Sequence, residues 1–381
     1  MGKRLLFITR HRLSENNGGA NGSKGFIRCF AALFDNCSII FPELEDTASV
    51  IPSCYKLFPC HDGRSKIQKG LDCYRAILSP LARFALSHLK GHTYDVVVID
   101  HSFIATKPLI RAIKESGAKL ITIHHNVERD YLNDNRRQFS LAFRIPYIYY
   151  AKKAERDSLR GSDVNLTVTE RDAEVFRTWY EGLNVYPWGN YEYKPIPDKT
   201  FARQTSTRTF IITGSLCFIQ SLQPILEFVA RYWPIVIAHH PDARLLIAGR
   251  NPSPKLLQVC AQQPAVNIIP NPKNMEILVQ SADYYICPIN AGSGRKLRVM
   301  DGLRQGLPVL CHEVALSGYE SMQESHCLFP YHDEVSFEKS MEQMMTTKHH
   351  PQSIYQSFKE HFSIEAGTAR LSEILKQNAI I

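Results

Sequence analysis

The stretch Asn290–Leu310, NAGSGRKLRVMDGLRQGLPVL, places glycines, four basic residues and one acid between two short apolar runs. Glycine lets backbone approach a ligand closely, and the free N–H groups at a helix start attract anions. Tyr284–Ile289 reads as a strand, Asn290–Gly294 as a loop, and Arg295–Gln305 as a helix closed by Gly306 and Pro308. Arg295 and Lys296 at that helix start suit a phosphate or diphosphate. Asp301 can accept hydrogen bonds from vicinal hydroxyls. Diphosphate plus hydroxyls describe a nucleotide-sugar. The plain alternative is a βαβ crossover whose cations are solvated.

Two further stretches follow strands in the same way. LSENNGGANGSKG, residues 13–25, holds Gly18, Gly19, Gly22 and Gly25 and reads as a loop in which glycines take positive φ, with Lys24 adding charge. It matches neither GxGxxG nor a P-loop, so a nucleoside triphosphate is not favoured. HHNVERDY, residues 124–131, sets imidazole and amide groups at a strand's carboxyl end, followed by Glu128, Arg129 and Asp130. Their bland counterparts are a flexible glycine loop and a structural histidine.

The elements that must carry these stretches come from alternation. Runs of four to six apolar residues alternate with amphipathic segments, the pattern of βα units on parallel sheets. RLLFITR, CSIIF, YDVVVIDHS, KLITIHHN and DVNLTVT read as strands, with helices over 25–34, 65–89, 107–116, 147–160 and 171–180. Residues 182–208, rich in proline and aromatics without helical period, read as a linker. The alternation then restarts, with helices over 223–232, 254–262 and 275–281 among its strands. The fold class is therefore α/β, with two doubly wound domains. Residues 1–190 form the first, 191–355 the second, and a helical segment 356–381 packs back on the first.

At 381 residues, 44% hydrophobic and 22% charged, the chain is of ordinary globular composition and too long for a single core. No window reaches a membrane span, and ten cysteines without CxxC pairs or a secretory leader point to reduced thiols in the cytoplasm. Residues 1–190 carry 27 Lys+Arg against 20 Asp+Glu, and residues 191–381 carry 18 against 17, so the net +8 lies almost wholly in the first half. That half faces an anionic partner. Nucleic acid fits poorly, because the charge is modest and no recognition motif occurs.

The ordered set of motifs resembles the retaining GT-B-fold nucleotide-sugar glycosyltransferases grouped as family 4. PINAGSGRKLRVMDGLRQGLPVL resembles that family's strand, GSG-type loop, helix and G-x-P-V strand. HHNVERDY, RGSDVNLTVTERDAEVF, TGSL and DARLLIAGR resemble further segments in the family's order. The resemblance implies two Rossmann-like domains facing a cleft, an acceptor-binding first domain and a donor-binding second. Asp301 would bind the ribose in place of the second glutamate of an E-x7-E pattern, whose first glutamate is here Ser293. Gly294, Arg295 and Lys296 would hold the diphosphate and sugar, with Arg298 adding charge. His125 would contact the donor sugar, with Gly18 and Gly19 as the N-terminal glycine pair. Gly214 and Ser215 would lie beside the diphosphate, and Arg250 near base or phosphates.

The chain departs from that pattern after Gly214, where many members carry an Arg and a Lys and this one reads SLCFIQSLQ. Arg295, Lys296 or Arg298 must then neutralise the leaving diphosphate. No DxD motif stands at a strand end, so the expected transfer is metal-independent and needs no cofactor beyond the UDP- or GDP-sugar co-substrate. No carboxylate pair suggests a covalent intermediate, so retention without one is expected. Basic amphipathic segments at 64–92 and 136–160 suit a glycan or lipid-linked acceptor and peripheral contact with an anionic membrane, with polysaccharide synthesis as the setting. A sugar-nucleotide epimerase of the same shape and a catalytically silent sugar-nucleotide-binding subunit are the alternatives.

Overall fold

β-Branched and aromatic runs flanked by turn residues form strands, and a parallel strand buried on both faces reads as continuous apolar sequence. Val96–Asp100, entirely buried, is such a strand. The computed structural model describes residues 2–42, 50–74, 79–134, 141–198, 201 and 208–381. It divides into two units, one of Met1–Pro195 with Gly292–Gly294 and Phe362–Ile381, the other of Ile196–Ala291 with Arg295–His361.

The first unit runs β1 (Arg4–Thr9), α1 (Gly18–Ala31), β2 (Asn36–Pro42), β3 (Tyr55–Cys60), α2 (Lys66–Tyr74), α3 (Pro80–Leu89), β4 (Val96–Asp100), α4 (Lys107–Glu115), β5 (Lys119–His124), α5 (Glu128–Asp134), α6 (Leu141–Gly161), β6 (Val164–Thr167), α7 (Glu170–Trp179) and β7 (Val185–Pro187). Its sheet order is β3-β2-β1-β4-β5-β6-β7, with every pairing parallel. The order reverses between β1 and β4, the place where a doubly wound sheet opens a crevice at its carboxyl edge.

The second unit runs β8 (Thr209–Ser215), α8 (Ile219–Glu227), a π-helical turn at Phe228–Tyr232, α9 (Trp233–His239), β9 (Arg244–Arg250), α10 (Pro254–Ala261), β10 (Val266–Pro270), α11 (Met275–Gln280), β11 (Tyr284–Cys287), α12 (Arg298–Leu303), β12 (Val309–His312), β13 (Leu328–Tyr331), α13 (Glu334–Thr346) and α14 (Pro351–Phe362). Its sheet order is β10-β9-β8-β11-β12-β13, again parallel, with the reversal between β8 and β11.

The last helix, α15 (Ile364–Gln377), belongs to the first unit and packs on α1. Leu371 and Leu375 join the core of Phe7, Phe26, Phe30 and Trp188. Trp188 Nε1 donates to the Gly367 carbonyl at 2.9 Å. Ser363 caps α15 and divides it from α14, so Phe358 lies in the second unit and the expected boundary at 356 moves to 362.

Several expected elements take other shapes. The single helix over 65–89 is α2 and α3, the latter entered through Ser79 as N-cap and Pro80. β7 falls in the stretch read as a linker, and β3 in one to which the sequence pattern assigns no element. Arg75 of the basic segment at 64–92 and residues 136–140 of the other lie outside the described residues.

Candidate functional site

In the first unit, polar side chains gather where β1, β4 and β5 end. Asp100 closes β4 and is fully buried. Its Oδ2 accepts from Thr9 Oγ1 at 2.7 Å and from Ser23 Oγ, and its Oδ1 meets His125 Nε2 at 2.5 Å. Burial alone would raise the Asp100 carboxyl, yet His125 and these donors hold it below its ordinary value. Asp100 therefore stays charged and fixes the His125 ring through one nitrogen, an arrangement suited to orienting an imidazole toward a substrate.

Two more imidazoles adjoin it. The His11 ring lies 4.8 Å from that of His125 and 5.8 Å from that of His101. Burial, then the neighbouring His125, pushes His11 down to about 3, so it is neutral at physiological pH. His101 has φ +101°, a strained conformation for a side-chain-bearing residue. Its Nδ1 accepts from Phe103 N–H, so Nε2 carries the proton toward Glu128 Oε1 at 3.3 Å. Burial and the nearby Glu155 raise Glu128 to about 8. Glu155, itself raised by burial to about 7, accepts the N–H groups of Glu128 and Arg129 that open α5. His124 faces elsewhere, bonded to Asn165 Oδ1 at 3.0 Å in the core.

The glycines before Ser23 do something other than expected. Asn17 caps α1 through the Ala20 N–H, so Gly18, Gly19, Gly22 and Gly25 lie inside the helix, none at positive φ. Their value is close approach. A Cβ on Gly19 would fall 2.4 Å from the His11 ring, one on Gly22 2.7 Å from Asn190 Nδ2, and one on Gly25 2.4 Å from the Tyr191 carbonyl oxygen.

Further along the chain glycines do take positive φ, Gly214 near the end of β8 at +139° and Gly294, a residue of the first unit in the loop after β11, at +71°. The helix beyond is shorter than expected. It begins at Arg298, leaving Arg295 and Lys296 in the preceding loop rather than on a helix start. The Arg298 guanidinium rests on the backbone of Gly214, where a Cβ would sit 2.1 Å from Nη2. Its Nη2 donates to Ser221 Oγ at 2.7 Å, while Nη1 is buried without a hydrogen-bond partner. Asp301 is exposed, and its Oδ2 lies 3.5 Å from Thr213 Oγ1, which also bonds the Tyr285 hydroxyl. Ser215 and Arg250 are register partners at the ends of β8 and β9. Arg295 turns away from them and stacks over Tyr319 at 5.4 Å, against Gly318. The Lys296 carbonyl accepts from the Tyr319 hydroxyl at 2.9 Å, and the Ser293 hydroxyl is buried. Arg298, Gly214, Ser215, Arg250 and Asp301 thus share the carboxyl edge of one sheet.

Residues 208–347, almost the whole of this second unit, match the family model described as Glycosyl transferases group 1. The second unit is thus similar to the glycosyltransferases of that group. No curated protein matches its sequence. Solved structures carry the fold comparison over the full length. TarM of S. aureus superposes with a TM-score of 0.70 at 8% identity, covering 97% of this chain and 98% of that one. A UDP-forming trehalose-phosphate synthase from Burkholderia xenovorans gives 0.65 at 11%, covering 99% of each. Anabaena HepE in complex with UDP gives 0.65 at 10%, covering 98% of this chain and 100% of the other. The chain thus has the GT-B fold of two Rossmann-like domains.

Sequence reasoning missed Asp100, His101, His11 and Thr213 as site residues. The signal for the first two was present, since an acid and a histidine directly end the strand VVVID.

Proposed function

We propose that this chain is a glycosyltransferase that moves a sugar from a UDP-sugar to a hydroxyl of a glycan or lipid-linked acceptor, with retention of configuration and without a metal ion. The observation that carries the reading is Arg298 on Gly214. It supports a compensation, in which the cation missing from the chain after β8 is supplied from α12 and presented at the same strand end. Departure of UDP breaks the bond from the anomeric carbon to phosphate oxygen and leaves charge on the diphosphate. A half-buried guanidinium already in place stabilises that charge without reorganisation. The acceptor oxygen bonds to the anomeric carbon, and its proton passes to the departing diphosphate.

In this reading Asp301 takes the ribose hydroxyls, Arg250 and Ser215 flank the nucleotide, and Ser293, Gly294, Arg295 and Lys296 form the loop around diphosphate and sugar. His125, held by Asp100, meets the donor sugar, and Gly18 and Gly19 let the start of α1 come close. UDP is preferred over GDP because solved neighbours of the same fold are described with UDP. A setting in cell-surface polysaccharide or glycoconjugate synthesis belongs to the same reading. So does peripheral contact with an anionic membrane, since Ile67 and Leu71 of α2 and Ile145 and Tyr149 of α6 are exposed beside basic residues. Among the described residues no helix is long and apolar enough to cross a membrane.

Thermal-shift titration with UDP, GDP and their sugars tests the donor. UDP should stabilise the protein, and Arg298→Ala should weaken UDP binding and lower kcat by about 100-fold or more. An Arg298→Ala enzyme with unchanged kcat would remove the compensation. NMR of the product distinguishes a retained glycoside from a 2-epimer.

A further inference from the structure

At the edge of the first sheet stands a cation, Arg10, whose charge acts on Glu128 without contacting it. Arg10 directly follows β1 and is only partly exposed. Its guanidinium lies 4.8 Å over the ring of Phe103, a buried residue. It forms no hydrogen bond or ion pair among the described residues. Stacking holds the planar fork in place and leaves its N–H edges free.

The two acids nearest this point are already engaged. Asp100 has both oxygens filled by Thr9, Ser23 and His125. Glu128 bonds His101 and, raised to about 8 by burial and by Glu155, is mostly protonated at neutral pH. His101 is committed through both ring nitrogens. Beside them His11 has its Nε2 buried and unpartnered. Gly19 packs against the His11 ring and keeps it from swinging away.

A partly buried guanidinium that forms no ion pair among the described residues, near a buried imidazole nitrogen with no hydrogen-bond partner among them, is a half-built anion site. We propose that Arg10 and His11 bind a phosphate group carried by the acceptor. Arg10 offers a bidentate fork to two phosphate oxygens, and His11, as its Nε2–H tautomer, donates to a third. The site lies at the ends of β1 and β4, next to the His125–Asp100 pair. The proposal deepens the glycosyltransferase reading by naming the acceptor's chemistry, and it rests on that reading for its place in the reaction. The phosphate comes either from a free sugar or polyol phosphate or from the headgroup of a lipid carrier.

The test titrates the full chain, saturated with UDP so that the diphosphate site is filled, with inorganic phosphate and with glycerol 3-phosphate. Binding is read by calorimetry. In parallel, the protein is co-sedimented with phosphatidylcholine vesicles with and without phosphatidylglycerol. Wild type should bind both phosphate probes. Arg10→Gln should weaken them by about tenfold or more, and His11→Phe by less, with UDP affinity unchanged in both variants. Arg10-dependent sedimentation with anionic vesicles would assign the phosphate to a lipid headgroup. Sedimentation indifferent to Arg10, with glycerol 3-phosphate still discriminated, would assign it to a free acceptor. No phosphate binding by wild type, or equal binding by Arg10→Gln, overturns the proposal. Failure of UDP to bind would instead strike the donor reading and leave the phosphate result to be judged alone.

Discussion

A carboxylate that takes Thr9, Ser23 and His125 together is held at both oxygens and has little freedom to move. Asp100→Asn keeps the shape but puts an amide N–H where one of these donors must sit. It should lower kcat by about 100-fold while UDP affinity holds, as stopped assays and calorimetry would show. Glu128 makes a prediction in pH. Its folded pKa, raised to about 8, lies above the ordinary 4.5, so the folded chain binds the extra proton across that window. Stability from this group is present below 4.5 and is lost as pH rises through 8. Glu128→Gln, which mimics the protonated form, should therefore be more stable than wild type above pH 8, by on the order of 2 kcal/mol, with the gap closing toward pH 5. Urea melts across pH decide it. The place of His125 just after a strand was legible because HHNVERDY follows directly on the apolar run KLITI. Asp100 was not, because its partner Thr9 is 91 positions away and arrives only through the pairing of β1 with β4.

At the scale of elements, sequence gave the strands well and misjudged helix starts. Four glycines in eight residues read as a loop on propensity alone, yet they lie in α1. What overrides propensity is the path of residues 188–191 across the helix, which leaves no room for a Cβ at Gly22 or Gly25. Neither neighbour is visible in the local string. Gly25→Ala should accordingly destabilise the first unit by about 1–3 kcal/mol despite the better helix former, measurable as a lower urea midpoint. The reverse error occurred at α12. Arg295–Leu297 carry helix-forming side chains, but Arg295 is drawn to the Tyr319 ring and the helix waits until Arg298. That delay separates the loop cations from Arg298, which then reaches Gly214.

At the scale of the whole molecule, alternating strands and helices made two doubly wound sheets legible, since apolar periodicity is a property of long segments and survives local misreading. The return of α15 to the first unit shows only as apolar spacing; its partners, Trp188 and the core around Phe30, are set by tertiary packing. Truncation after Ser363 would strip Leu371 and Leu375 from that core and open the Trp188 indole. The truncated chain should lose the cooperative melting transition of the first unit and keep that of the second, as hydrogen exchange resolved by segment would report. The same connectivity orders the birth of the protein. The unit whose strands are translated first lacks a helix of its core until α15 has left the ribosome, so the second unit, though later in the message, has all of its strands and helices available sooner.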